Sequence, residues 1–185
     1  MNLLDAFGNK YRPGMGEPSQ DVLNTGEHDG CHWVPAETDV SIRPGWFWRA
    51  TEHPKSLQEL LSIYYTSVGR NSLLLLNVPP DNRGLIATED SLRLMEFRQA
   101  LNTIFARDMI GETPRWEGIA KYPDGRNLQC INYRFERPVR FNRVVLHEDI
   151  SEGQRVAKFH VSVKTLENRF LHIVAHATTI GHKRI

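Results

Sequence analysis

Between Thr38 and Arg43 the chain alternates, with Val40 and Ile42 set against Asp39, Ser41 and Arg43, which is the period of a strand with one covered face. Pro44-Gly45 closes it with a turn signal. The period then changes. Ser56 followed by Glu59 matches a capping box, and Leu57, Leu60, Leu61, Tyr64 and Val68 recur at helical spacing up to Gly69, which offers a left-handed cap. Leu73 to Val78 is a short unbroken apolar run ended by Pro79-Pro80, the pattern of a strand buried on both faces of a parallel sheet. A second helix is predicted with its cap near Thr88 and with Leu94, Phe97, Leu101, Ile104 and Phe105 along one face. Strand, helix, buried strand, helix makes two βα units, and such units build either an open α/β sheet or a (β/α)8 barrel.

After about Asp108 the pattern turns to β. Cys130 to Phe135, Phe141 to Leu146, Val156 to Val163 and Phe170 to Ala177 alternate apolar and polar residues, with polar or turn segments between them. An antiparallel sandwich or jelly roll is the expectation, with Glu112-Thr113-Pro114 as the boundary and Asp124-Gly125 as a turn. Residues 1–30 are rich in Gly, Pro, Asn and Asp without periodicity and read as loop.

Composition narrows the class of function. Lysine plus arginine (23) nearly cancels aspartate plus glutamate (22), so no basic footprint argues for nucleic acid. No apolar run approaches the ~20 residues that span a bilayer, and the first residues are too short and uncharged for a signal peptide. Cys31 and Cys130 permit one disulfide and demand none. His172 and His176, four apart on a strand, share a face about 13 Å apart, too far to chelate one ion, so no metal is expected from them.

The chemistry concentrates in Pro35 to Trp48, PAETDVSIRPGWFW, with two acids, an arginine and two tryptophans in fourteen residues. Glycosidases use two carboxylates about 5 Å apart for retention or ~6.5–9.5 Å for inversion, and Glu37 and Asp39 on one strand face stand about 6.8 Å apart at Cα. The alternative is an ion-pair network, with Arg43 holding these neighbouring acids instead of a sugar hydroxyl. Trp46, Phe47 and Trp48 follow the strand, where a ring can pack against the apolar side of a sugar or plug the core. Asn77, at the end of the buried run, reads by default as a residue that satisfies loop backbone.

Three ordered segments, PAETDVSIRPGWFW, LLSIYYTSVGRN and LLLLNVPPDNRGLI, resemble the end of the catalytic domain of α-L-fucosidases of glycoside hydrolase family 29. FNRVVLHEDISEGQRVAKFHV and TTIGHKRI are similar to the galactose-binding-like β-sandwich that follows in many members. The resemblance implies α/β followed by β: the end of a (β/α)8-type barrel, about two βα units, joined to a partial β-sandwich. Residues 1–30 would be a loop-rich remnant, 31–109 the C-terminal part of the barrel and 110–185 the partial sandwich. It implies hydrolysis of terminal α-L-fucose from oligosaccharides or glycoconjugates, with retention through an aspartyl intermediate and no cofactor. Trp46 would be the apolar platform, Arg43 a positioning or ion-pairing group and Glu37 an acid/base, the alternative being an acid/base glutamate on an upstream segment. Full-length members are commonly secreted, lysosomal or vacuolar. Nothing in residues 1–35 is similar to the segment carrying the family's nucleophile aspartate, so an inactive fragment is expected, the alternative being a non-catalytic carbohydrate-binding remnant. Arg49 stands where relatives often carry histidine.

Overall fold

The computed structural model of the chain describes residues 36–111, 115–121, 127–167 and 170–185. The expected loop of residues 1–30, the boundary at Glu112-Thr113-Pro114, the turn at Asp124-Gly125 and Cys31 lie outside them. Strand β1 is Ala36–Ser41, helix α1 Leu57–Thr66, strand β2 Ser72–Asn77 and helix α2 Thr88–Ile104. Four strands follow: β3 Arg115–Lys121, β4 Asn127–Tyr133, β5 Phe159–Val163 and β6 His172–Ala177.

Strands β1 and β2 pair in parallel with Glu37 opposite Leu73, Asp39 opposite Leu75 and Ser41 opposite Asn77. An α-helical crossover joins them, as a parallel pair requires. At the start of the ladder the Ser72 hydroxyl donates to the Ala36 carbonyl at 2.8 Å and lies 2.7 Å from the Thr38 hydroxyl. Past its end the Ile42 amide donates to the Asn77 carbonyl at 2.9 Å, extending the pairing by one rung.

The capping box at α1 is present: Ser56 accepts from the Glu59 amide, and the Glu59 carboxylate accepts from the Ser56 amide. The Ser56 hydroxyl also donates to that carboxylate at 2.7 Å, and this bond, followed by the one from the Ser56 amide, holds the Glu59 carboxyl below the usual carboxylate range. Helix α1 turns its buried Leu60 inward, and Tyr64 meets Phe97 and Phe105 near the far end of α2 at ring separations of 6.2 and 6.0 Å. This is the apolar face expected on α2.

Gly69 departs from expectation. The left-handed residue after α1 is Asn71 (φ 69°), and Gly69 is not among the residues with positive φ. Gly69 is required by close approach instead, because a Cβ there would lie 2.5 Å from the Tyr65 carbonyl oxygen. Helix α2 also differs at its start: its N-cap is the buried Ala87, with no side-chain cap, and Glu89 and Asp90 supply negative charge to the first turn. The expectation that β2 is covered on both faces is corrected as well. Leu73 and Leu75 are 54% and 49% exposed on the face shared with Glu37 and Asp39, since the described residues cover only the other side.

The β region is antiparallel, as expected, in two separate ladders, β3 with β4 and β5 with β6. Strand β3 is not foreshadowed by periodicity; its Trp116-Glu117-Gly118-Ile119 stretch lacks a clean apolar alternation. Phe141 to Leu146 forms no strand. Leu146 makes a single antiparallel bridge with Arg184, and Arg184 makes another with Arg70 beyond α1. The C-terminal residues thus lie against the α/β unit: the Ile185 amide donates to the Gly69 carbonyl at 2.9 Å, and Lys183 Nζ donates to the Tyr64 hydroxyl at 3.0 Å.

Replacing Gly69 by Ala is expected to lower the chain's stability by about 1–3 kcal/mol through overpacking against Tyr65. Chemical denaturation checks this, and Gly84→Ala, where nothing lies within 4 Å, isolates the cost of a positive φ alone.

Candidate active-site loop

Strand β1 ends at Ser41, and the chain leaves it through Ile42 and Arg43, both completely buried. Arg43 is the organising residue of this end. Its Nε donates to both oxygens of Asp90, at 2.9 and 3.2 Å, and its Nη2 donates to Glu89 at 2.5 Å. Nη1 donates to the carbonyls of Arg49, at 3.3 Å, and of Glu52. The guanidinium also lies 5.8 Å from the centre of the Trp48 ring. Burial pulls the arginine's pKa down, but the hydrogen bonds and charges of Asp90 and Glu89 outweigh it and leave it raised.

The acids that hold Arg43 therefore come from the first turn of α2, not from Glu37 and Asp39 beside it in sequence. Nothing local announces this pairing, because Asp90 is 47 residues away. Glu89 also accepts from His53 Nδ1 at 3.0 Å, and the bonds from His53 and then Arg43 hold its carboxyl below the usual range. Lys55 completes the arrangement, its ammonium donating to the carbonyls of Ser41 and Arg43 at 2.6 and 2.9 Å.

With its base held in this way, the loop 44–48 turns its aromatics in different directions. Trp46 and Phe47 are 52% and 81% exposed, whereas Trp48 is half-buried beside Arg43. Asn77 fixes the loop from the neighbouring strand: its amide nitrogen donates to the Trp46 carbonyl at 3.0 Å and to the Ser41 hydroxyl at 3.1 Å. Ser41 in turn donates to the Gly45 carbonyl at 2.8 Å. Asn77 satisfies loop backbone, and by doing so it sets where Trp46 stands. Glu37 and Asp39 are exposed on the sheet face that leads to this loop. Arg49 is exposed and pairs at 3.7 Å with Glu52. A shallow recess of 440 Å³ lies elsewhere, along α2 at Leu92, Met95 and Gln99.

A loop of aromatic and charged residues at the C-terminal end of a parallel strand, buttressed by the helix that follows, is where α/β enzymes carry their active sites. No family model matches the chain. It is 37% identical to the α-L-fucosidase 1 of Arabidopsis thaliana over 199 residues, covering 96% of this chain and 39% of that protein. A glycoside hydrolase 29 family member from an unknown rumen bacterium superposes with a TM-score of 0.76 at 36% identity, covering 99% of this chain and 31% of that one. A Ruminococcus gnavus fucosidase of the same family, in complex with fucose, superposes with a TM-score of 0.72 at 26% identity, covering 86% of this chain and 36% of that one.

Over nearly its whole length, then, the chain is related to the α-L-fucosidases of glycoside hydrolase family 29. It spans about two fifths of the length of the curated relatives it matches, 39% and 38%.

Removing Asp90 leaves a completely buried guanidinium without its main partner, so Asp90→Ala is expected to cost about 3–5 kcal/mol, read by denaturant unfolding. Glu89, with its folded-state pKa lowered, contributes stability in full above the ordinary glutamate value of about 4.3 and loses it as pH falls through the depressed value. The melting temperature is expected to fall on acidification below that point, and less steeply in Glu89→Gln.

Proposed function

We propose that this chain contributes the last two βα units of a (β/α)8 catalytic barrel, residues 31–109, and part of the following galactose-binding-like β-sandwich, residues 110–185, to a retaining α-L-fucosidase. The observation that carries the reading is the pinned loop 44–48, which presents Trp46 at the C-terminal end of β1 beside a sheet face bearing Glu37 and Asp39. Its substrate would be terminal α-L-fucose on an oligosaccharide or glycoconjugate, in keeping with the relative that holds fucose.

In this reading the exposed Trp46 ring packs against the apolar face and methyl group of fucose. Glu37, exposed on the face that would line the barrel, is the proton donor to the leaving oxygen. Arg43 acts on the site by holding the loop, its three nitrogens being engaged by protein groups. The aspartate that would form the glycosyl intermediate has no counterpart among these residues, so the chain by itself is inactive toward fucosides. The chemistry needs no cofactor.

Purified chain is expected to give no release of nitrophenol from an aryl α-L-fucoside, and turnover that tracks with the protein through purification would sink the inactive-fragment reading. Millimolar fucose is expected to perturb the indole resonance of Trp46. Trp46→Ala is expected to abolish the fucose-induced shifts of the neighbouring Gly45 and Phe47 amide resonances while changing stability by no more than about 0.5 kcal/mol, because the ring is exposed. A response to fucose confined to residues 110–185 would favour the carbohydrate-binding remnant instead.

A further inference from the structure

Two histidines that the fucosidase reading leaves unused, His147 and His182, lie side by side with ring centres 5.8 Å apart and planes at 79°. Both are exposed. They come from different segments. The Leu146–Arg184 bridge holds those segments together, with amide-to-carbonyl bonds of 2.8 and 2.9 Å, and the Glu148 amide donates to the Gly181 carbonyl at 3.0 Å. Neither ring sits there by chance of rotation alone, since the backbone beneath them is fixed from three sides. The His182 amide donates to Asn71 Oδ1 at 2.7 Å, and the Glu148 carboxylate accepts from the amides of Arg155, Val156 and Gly181 at 2.5, 2.7 and 3.0 Å.

The state of His147 is set by its partner. Its Nδ1 lies 2.6 Å from the His182 carbonyl oxygen, an atom that only accepts, so Nδ1 carries a proton and Nε2 is the nitrogen whose lone pair the neutral ring offers. A ring bonded through Nδ1–H to a backbone carbonyl, with Nε2 free, is the form in which histidine most often ligates a metal. The spacing agrees. With metal–nitrogen bonds of about 2.0–2.1 Å, two imidazoles on one tetrahedral ion have their centres about 5 Å apart. Closing from 5.8 Å needs only side-chain rotation of exposed rings.

We propose that His147 and His182 form a two-histidine site for a borderline divalent transition ion of the zinc, copper or nickel kind. Imidazole nitrogens suit these ions. Among the described residues no group of three or more histidine, cysteine, aspartate or glutamate side chains is placed to hold a metal, so water completes the coordination shell. The neighbouring carboxylate of Glu148 is occupied by the three backbone amides. The ion acts as a clamp. It ties residues 146–148 to the C-terminal segment at the point where that segment meets Asn71, beyond the end of α1.

The test uses the full chain and two probes. Substoichiometric Cu2+ is expected to broaden the ring resonances of His147 and His182 before those of His160, His172 and His176. Broadening that begins at His160 and His176, which face each other across β5 and β6, would overturn the assignment. Excess Zn2+ is expected to raise the melting temperature, with EDTA reversing the rise and both His147→Gln and His182→Gln abolishing it. A Zn2+ response of unchanged size in either variant would refute the clamp. The copper measurement needs no variant and decides the matter if a substitution prevents folding.

Discussion

The buried contact between Arg43 and Asp90 is the constraint on which the α/β unit depends. Both side chains are completely withdrawn from water, and taking two such charges out of solvent costs several kcal/mol per ion unless each is fully partnered. That condition dictates the surroundings. The end of β1, the backbone at Arg49 and Glu52, and the first turn of α2 must all converge on one guanidinium. Among the described residues the apolar side chains buried to the same degree are few, Ile42 and Leu60, with Ala87 close behind, so an ionic centre stands at the heart of this α/β unit. The first turn of α2 suits this role because carboxylates there also oppose the helix dipole.

What could be read from the sequence follows the range of each interaction. The capping box of α1 lies within four residues, and both of its hydrogen bonds form. The helix faces, the parallel character of β2 and the antiparallel character of the later strands follow from periods that extend over one element. Gly69 shows where local reading goes astray: a glycine after a helix suggests a left-handed cap, but the need here is for space beside Tyr65, and Asn71 takes the left-handed turn. The segment from Phe141 to Leu146 alternates like a strand yet finds a pairing partner only at Leu146. The ion pairs of Arg43 and the bond from His53 to Glu89 span 36 to 47 residues, and no pattern along the chain foretells them.

The candidate site was partly legible for the same reason. Aromatic residues after a turn signal mark a loop, and the similarity to family 29 fucosidases extends over the segment that contains it. Which ring faces outward is decided by tertiary contacts: Trp48 turns toward the buried guanidinium, leaving Trp46 and Phe47 open. Asn77, read as a residue of structural use, proved to be both structural and positional, because the carbonyl it holds belongs to Trp46.

That last bond has a kinetic meaning. A loop gripped from below by Arg43 and from the side by Asn77 has already lost its conformational freedom. Any molecule that packs on Trp46 meets a surface that needs no ordering, which spares an entropy of about 1–2 kcal/mol for each backbone residue that would otherwise have to be fixed. Association at such a surface is governed by encounter and desolvation, not by the rate at which a loop folds.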